Sequence, residues 1–173
     1  MRVAGRTPAQ LSNDASASAL RARLCAMALL VLACAPALAA PSTFGPVIGS
    51  ALLCRSHLDN AYFYSYLSTA FGPSYKHEGG AYWFKADGNL WGAPVTDIML
   101  SDDTSDIVFV GAVRELAPDK LDEAIRSVAG VRHDAADASA YPVRQSRPGS
   151  RIVYFKTKSK IYCAKYKPLP TLR

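Results

Sequence analysis

The placement of the cysteines constrains this chain more than any other feature. Four cysteines occur, at positions 25, 34, 54 and 163, and the first two lie in an N-terminal segment with the pattern of a secretory leader. Removal of that leader would leave Cys54 and Cys163, near opposite ends of the remainder. In an exported protein such a pair predicts one disulfide, which would close a loop of about a hundred residues.

Residues 1–39 show the three parts of a secretory signal peptide. A pair of arginines precedes an uncharged run over 24–33, and the Ala-Leu-Ala sequence of 37–39 supplies a small-x-small cleavage site. The uncharged run is shorter than the ~20 apolar residues of a membrane-spanning helix. We therefore predict cleavage after Ala39 and a protein that is periplasmic or secreted, with no transmembrane span once the signal is removed.

A second processing site is available within the same segment. The sequence Val-Leu-Ala-Cys ending at Cys34 resembles the lipobox of bacterial lipoproteins, and lipidation there would give a lipid-anchored structural lipoprotein. Cleavage after Ala39 is favoured because it fits ordinary signal peptidase and leaves an even number of cysteines. The mature protein is then expected to be a single α+β domain of residues 40–166, followed by a flexible C-terminal tail of residues 167–173.

The charges of the mature chain are divided between two parts. Residues 40–140 hold seven Lys/Arg against thirteen Asp/Glu, whereas residues 141–173 hold nine Lys/Arg and no acid. The basic part could meet an anionic component of the envelope or an acidic protein; alternatively, its lysines cover the solvent side of strands and balance the acidic part within the fold. Nucleic acid is not expected as a partner of an exported protein with this modest net charge.

The apolar periodicity predicts an α+β fold, with an antiparallel sheet of about five to seven strands packed by two helices. One helix is expected to open at Ser56 and end at Gly72, and the other to begin at Pro118 and end at Gly130. Residues 132–149 have the composition of a loop with one short strand near Tyr141. The remaining predicted strands cover 47–54, 81–85, 94–100, 106–113, 151–157 and 160–165.

The order of these elements is consistent with two α-β-β-β-like repeats. Each predicted helix ends in a glycine, Gly72 or Gly130, and is followed by a polar stretch and a hairpin. This layout resembles the α-β-β-β units of small periplasmic proteins such as outer-membrane assembly lipoproteins and β-lactamase inhibitory proteins. The resemblance rests on element order and on one Gly-Pro helix end, so it implies a fold and assigns no functional residue.

The segment 77–88, HEGGAYWFKADG, provides the candidate binding surface. Its glycine pair and its Asp-Gly end predict one arm of a β-hairpin. Strand alternation puts Tyr82 and Phe84 on one face, and Trp83 and Lys85 on the other. One set of rings is expected to meet the helices, which leaves Trp83 and Lys85, with the neighbouring Tyr82, as the side chains to consider for a partner.

Patterns for catalysis and metal binding are weak in this sequence. The histidines and cysteines are not spaced as zinc ligands, and neither a G-x-S-x-G nucleophile motif nor a phosphate-binding glycine loop occurs, so no metal, cofactor or catalytic residue is assigned. Glu78 and Asp97 are the carboxylates available for hydrolytic chemistry, Asp97 because it interrupts a predicted strand. They carry an alternative hypothesis, a small hydrolase acting on an envelope polymer.

The sequence as a whole favours an exported binding or interaction protein of the bacterial envelope, without catalytic activity. The leader, the small size and the aromatic-rich strands support this interpretation. Its expected partner is a protein or an anionic envelope component.

Overall fold

The computed structural model describes residues 40–167 and shows helices on one face of a single antiparallel sheet. A π-helical turn, Gly45–Gly49, runs directly into the first α-helix. The first half of the chain continues with α1 (Ser50–Leu52), α2 (Asn60–Phe71), β1 (Lys76–Glu78), β2 (Ala81–Leu90), β3 (Ala93–Ser101) and β4 (Ile107–Arg114). The second half consists of α3 (Pro118–Ala129), β5 (His133–Ala135), β6 (Arg144–Ser146), β7 (Arg151–Phe155) and β8 (Lys158–Tyr166).

The eight strands are ordered β1-β2-β3-β4-β8-β7-β6-β5 across the sheet. The chain makes a helix followed by four strands and then does so again, since α2 precedes β1 to β4 and α3 precedes β5 to β8. The two halves meet at the centre of the sheet, where β4 pairs with β8. The predicted α+β class is confirmed, and each half has four strands where the sequence layout indicated three.

The predicted count of five to seven strands is wrong because the sequence pattern misses three short strands. β1, β5 and β6 each have three residues, and charged or polar side chains predominate in them. Two of these strands lie in the stretch 132–149 that was expected to be a loop, and no strand forms at Tyr141 itself. β1 and β5 form the two edges of the sheet, where short polar strands discourage pairing with another chain.

The segment predicted as a strand over 47–54 is helical, which adds a third helix to the two that were expected. Ile48, Ala51 and Leu52 are fully buried, and this turn packs on the central strands β4 and β8. A short run that is apolar at nearly every position is typical of a buried strand and of a buried helical turn alike. Local sequence therefore does not separate the two structures here.

The two longer helices differ in how well their ends were predicted. Helix α2 begins later than expected because Asp59, not Ser56, caps it: the Asp59 carboxylate accepts a hydrogen bond from the Tyr62 backbone N–H at 3.0 Å. Helix α3 begins at Pro118 as predicted. Gly130 ends it with a φ of 65°, in the left-handed region that favours glycine.

The predicted disulfide joins Cys54 and Cys163 across a sequence separation of 109 residues. It connects the chain just after α1 to the central strand β8, and the Cys163 side chain is fully buried. The core lies between the helices and one face of the sheet. That face and its helices contribute Phe63, Leu67, Phe84, Ile98, Leu100, Val110, Ala112, Leu121, Ile125, Ile152 and Ile161.

One charged side chain, Arg114, is fully buried in this core. Its Nη2 donates to the Leu90 and Ala93 carbonyl oxygens, both at 2.6 Å, so the guanidinium ties together the ends of β2 and β3. Burial lowers the pKa of Arg114 to about 10. Among residues 40–167 it has no carboxylate partner, and its Nε and Nη1 make no hydrogen bond.

The predictions that concern the two ends of the chain fall outside the described residues. Cleavage after Ala39, the alternative processing at Cys34 and the tail beyond residue 167 therefore stay predictions. Within residues 40–167, none of the helices is both long and apolar enough to cross a bilayer.

Candidate functional site

The face of the sheet that carries no helix has an aromatic surface of its own. Trp83 lies on this helix-free face, opposite Met99 in the β2–β3 pair, and Met99 in turn lies opposite Gly111 of β4. Gly111 faces Tyr162 of β8. Alternation along β2 therefore directs Phe84 to the helices and Trp83 away from them.

Trp83 and Met99 form part of a groove of about 320 Å³ on the helix-free face, which we call the Trp83 groove. Gly111 shapes its floor, because a Cβ at that position would lie 2.6 Å from the Met99 Cε. The absence of a side chain lets Met99 lie across β4. The groove is lined by Glu78, Gly79, Ala81, Trp83, Met99, Ile107, Phe109, Lys160, Tyr162 and Ala164.

A second groove of about 360 Å³ adjoins the first and shares Ile107, Tyr162 and Ala164 with it. Arg151 and Lys165 line this second groove, together with Gln145 and Tyr166. Its charged lining is therefore entirely basic. Arg151 and Lys165 both come from the basic C-terminal part of the sequence, on strands β7 and β8.

Lys160 projects into the aromatic surface of the Trp83 groove. Its Nζ lies 5.4 Å from the centre of the Trp83 ring and 4.5 Å from that of Phe155. Burial lowers the pKa of Lys160 below its ordinary value. Among residues 40–167 no carboxylate pairs with it, and the indole N–H of Trp83 is likewise buried without an acceptor.

The other charged residues near Trp83 already have partners. Lys76 pairs with Glu78 at 2.8 Å, and Lys85 pairs with Asp97 at 2.7 Å. Burial would raise the pKa of Asp97, but hydrogen bonds from Lys85 and Tyr75 lower it below its ordinary value. Glu78 and Asp97 thus stand in separate ion pairs, and the structure does not bring them together as a catalytic pair.

Tyr82 lies on the opposite face of β2, so the three predicted binding residues do not share one surface. Its ring packs edge-on against Tyr64 of α2 at 4.9 Å and stacks on His77 at 4.4 Å. A pocket of about 330 Å³ next to these rings is lined by Asn60, Ala61, Tyr64, Tyr82, Leu100, Ser101, Asp102 and Asp103.

Sequence reasoning missed a histidine–aspartate pair beside this pocket. The His77 Nε2 lies 2.6 Å from the Asp102 Oδ2. Hydrogen bonds from Thr104 and then from His77 lower the pKa of Asp102 to about 2. No hydroxyl or thiol of residues 40–167 hydrogen-bonds to His77, and the spacing of the two residues in sequence gives no sign that they meet.

A second hydrogen-bonded histidine lies within the protein interior. The His133 Nδ1 is 3.1 Å from the Asp122 Oδ1, and its Nε2 is 2.7 Å from the Ser150 Oγ, which lies 2.8 Å from the Ser146 Oγ. The order of groups is that of an Asp-His-Ser relay. However, the relative exposure of Ser150 is 0%, so a substrate cannot approach its hydroxyl, and the chain of hydrogen bonds holds β5, β6 and the start of β7 to α3.

The buried His133 predicts a loss of stability in acid. Burial lowers the pKa of His133 from 6.5, against the opposing effect of Asp122 and Asp134, and Arg144 lowers it further. The unfolded chain therefore binds the proton more readily, so stability is full above pH 6.5 and decreases as the pH falls through the folded-state pKa. Urea denaturation on either side of pH 6.5 should show this decrease.

The matched variants for this experiment are His133→Gln and His57→Gln. His133→Gln should weaken the dependence of the free energy of unfolding on pH, because the buried titrating group is gone. His57→Gln changes an exposed histidine and should leave that dependence unchanged. An unchanged slope in His133→Gln would contradict the assignment.

Comparisons of the chain with known proteins identify no relative. Residues 40–167 contain no group of three or more His, Cys, Asp or Glu side chains arranged to hold an ion. No family model, curated protein or solved structure gives a significant match to the chain.

Proposed function

We propose that this protein is an exported, non-catalytic binding protein of the bacterial envelope and that it contacts its partner through the helix-free face of the sheet. The observation that carries the proposal is the Trp83 groove, in which aromatic rings surround the unpaired ammonium of Lys160. Aromatic side chains with one polar group are enriched at binding surfaces, because they combine a large apolar area with a directed contact.

Two further features support the proposal. The disulfide is typical of proteins that work in an oxidising compartment, which agrees with the signal peptide predicted over 1–39. The edges of the sheet are short and polar, so the open face offers more apolar contact than the edges do.

Site-directed photo-crosslinking in the producing cell tests this function. A photoreactive phenylalanine analogue at position 83 should give a specific adduct in the envelope fraction. The same analogue at position 128 is the control, because Val128 lies on α3, away from the groove, and is 67% exposed. We expect the adduct only from position 83, and we expect excess unlabelled wild-type protein to suppress it.

The opposite results would overturn the proposal. Equal adducts from positions 83 and 128 would mean that the contact is nonspecific. Failure of both positions to give an adduct, in a protein shown to be folded and exported, would mean that the helix-free face is not a binding surface.

A small hydrolase acting on an envelope polymer is the second candidate. The observation that favours it is the His77–Asp102 pair next to an open pocket, since an aspartate can orient a histidine that acts as a general base. This pair replaces Glu78 and Asp97 as the residues to test. Release of soluble fragments from isolated cell-wall polymer, abolished by His77→Gln, would establish the activity.

A further inference from the structure

The Trp83 groove has the composition of a site for an apolar chain. Apart from Glu78 and Lys160, its lining consists of aromatic, aliphatic and glycine residues, and Glu78 is already paired with Lys76. Along β8 the groove extends from Lys160 to Ala164, which is about 13 Å at the usual rise of a strand. An extended apolar chain of that length would cover the rings of Trp83, Phe109 and Tyr162.

Lys160 gives one end of this groove a half-buried positive charge without a carboxylate partner. Partial desolvation of an ammonium group is costly unless the group is paired, and contacts with the Trp83 and Phe155 rings compensate only in part. An anionic group placed at the Nζ would supply the missing partner. The indole N–H of Trp83, a residue that lines the same groove, is also buried without an acceptor.

The surroundings favour an anion over a neutral or cationic group. Arg151 and Lys165 line the adjoining groove, and no carboxylate lines it. Three acids of this region, Glu78, Asp97 and Glu115, are already paired with Lys76, Lys85 and Lys158. A negatively charged ligand therefore meets complementary charge at Lys160 and along its approach.

The size of the two adjoining grooves favours a small ligand over a protein. Volumes of about 320 and 360 Å³ fall within the range of small-molecule sites, roughly 300 to 1,000 Å³. Strand addition by a peptide would require an open edge, and both edge strands, β1 and β5, have only three residues.

From this geometry we propose that the Trp83 groove binds a single-chain amphiphile with one anionic headgroup. The headgroup meets the Lys160 ammonium, and the acyl chain lies over Trp83, Phe109 and Tyr162. This inference deepens the proposed function and rests on it, since it assigns a ligand class to the same face.

Calorimetric titration with laurate, below the concentration at which it forms micelles, tests the ligand class. Wild-type protein should bind laurate, and Lys160→Met should weaken this affinity by about tenfold or more, since a hydrogen bond to a charged group is lost. Dodecyl maltoside has an equally long chain and a neutral head, and it should bind weakly and equally to both proteins. Lys120→Met removes a lysine from α3, on the other face of the sheet, and should bind laurate as the wild type does.

Each alternative predicts a different result. Equal laurate affinity in the wild type and Lys160→Met would overturn the inference, as would tight binding of dodecyl maltoside. A thermal melt checks that Lys160→Met is folded; we expect it to be as stable as the wild type, because it loses an unpaired, partly buried charge. Sedimentation that shows a dimer abolished by Lys160→Met would assign the groove to a second copy of the chain and would also overturn the inference.

The outcome separates this inference from the proposed function. A specific protein adduct at position 83 with no binding of laurate would retain a binding function for the face and reject the amphiphile. If neither an adduct at position 83 nor laurate binding is found, both the proposed function and the proposed ligand class are rejected.

Discussion

A double variant, Cys54→Ala with Cys163→Ala, should lose about 4 to 5 kcal/mol of the free energy of unfolding. The disulfide closes a loop with a sequence separation of 109 residues, and so restricts the unfolded chain strongly. Cys163 is also fully buried, so its replacement leaves a gap beside the core of β8. Guanidinium denaturation of the oxidised wild type and the variant measures the difference.

The reduced wild-type protein is the natural control for this variant, because it lacks the crosslink and keeps both sulfur atoms. It should lose nearly as much stability as the double variant. A loss below about 1 kcal/mol in both would show that the crosslink does not restrict the unfolded chain as the loop length implies.

Arg114→Ala is expected to destabilise the protein by about 3 kcal/mol, whereas Arg114→Met is expected to cost only about 1 kcal/mol. Alanine leaves a cavity that costs about 2 to 5 kcal/mol. It also leaves the Leu90 and Ala93 carbonyls without their donor, at about 1 to 3 kcal/mol each. Against this, the lowered pKa of Arg114 indicates that its buried charge costs about 3 kcal/mol.

Methionine separates these contributions because it fills most of the space without carrying a charge. Urea denaturation of both variants, with Arg126→Ala on the exposed side of α3 as a control that should change little, measures them. If Arg114→Met is as damaging as Arg114→Ala, the cavity contributes little, and loss of the two hydrogen bonds to the β2–β3 turn accounts for most of the destabilisation.

Features that depend on local sequence were predictable. The pairing of Cys54 with Cys163 followed from the number of cysteines that lie outside the predicted leader, and the ends of α3 followed from Pro118 and Gly130. The opposite orientations of Trp83 and Phe84 followed from strand alternation, which depends only on the backbone. The predicted class of fold followed from the order of these elements.

Features that depend on distant pairing were not predictable. Lys160 meets Trp83 only because β8 pairs with β4 in one particular register, and no local pattern specifies that register. The same reason applies to His77 with Asp102. The helical turn before Cys54 was misjudged because its burial comes from packing on β4 and β8, which the run of apolar residues does not reveal.

The position of β8 also bears on the order in which the molecule can assemble. This strand is the last of the eight along the chain, yet it occupies the middle of the sheet and carries Cys163. Until it arrives, β4 has an unpaired apolar flank and β7 has no inner neighbour. The eight-stranded sheet therefore cannot be completed before this last strand is available, however early the other strands are made; such dependence on non-local pairing is also typical of slow folding.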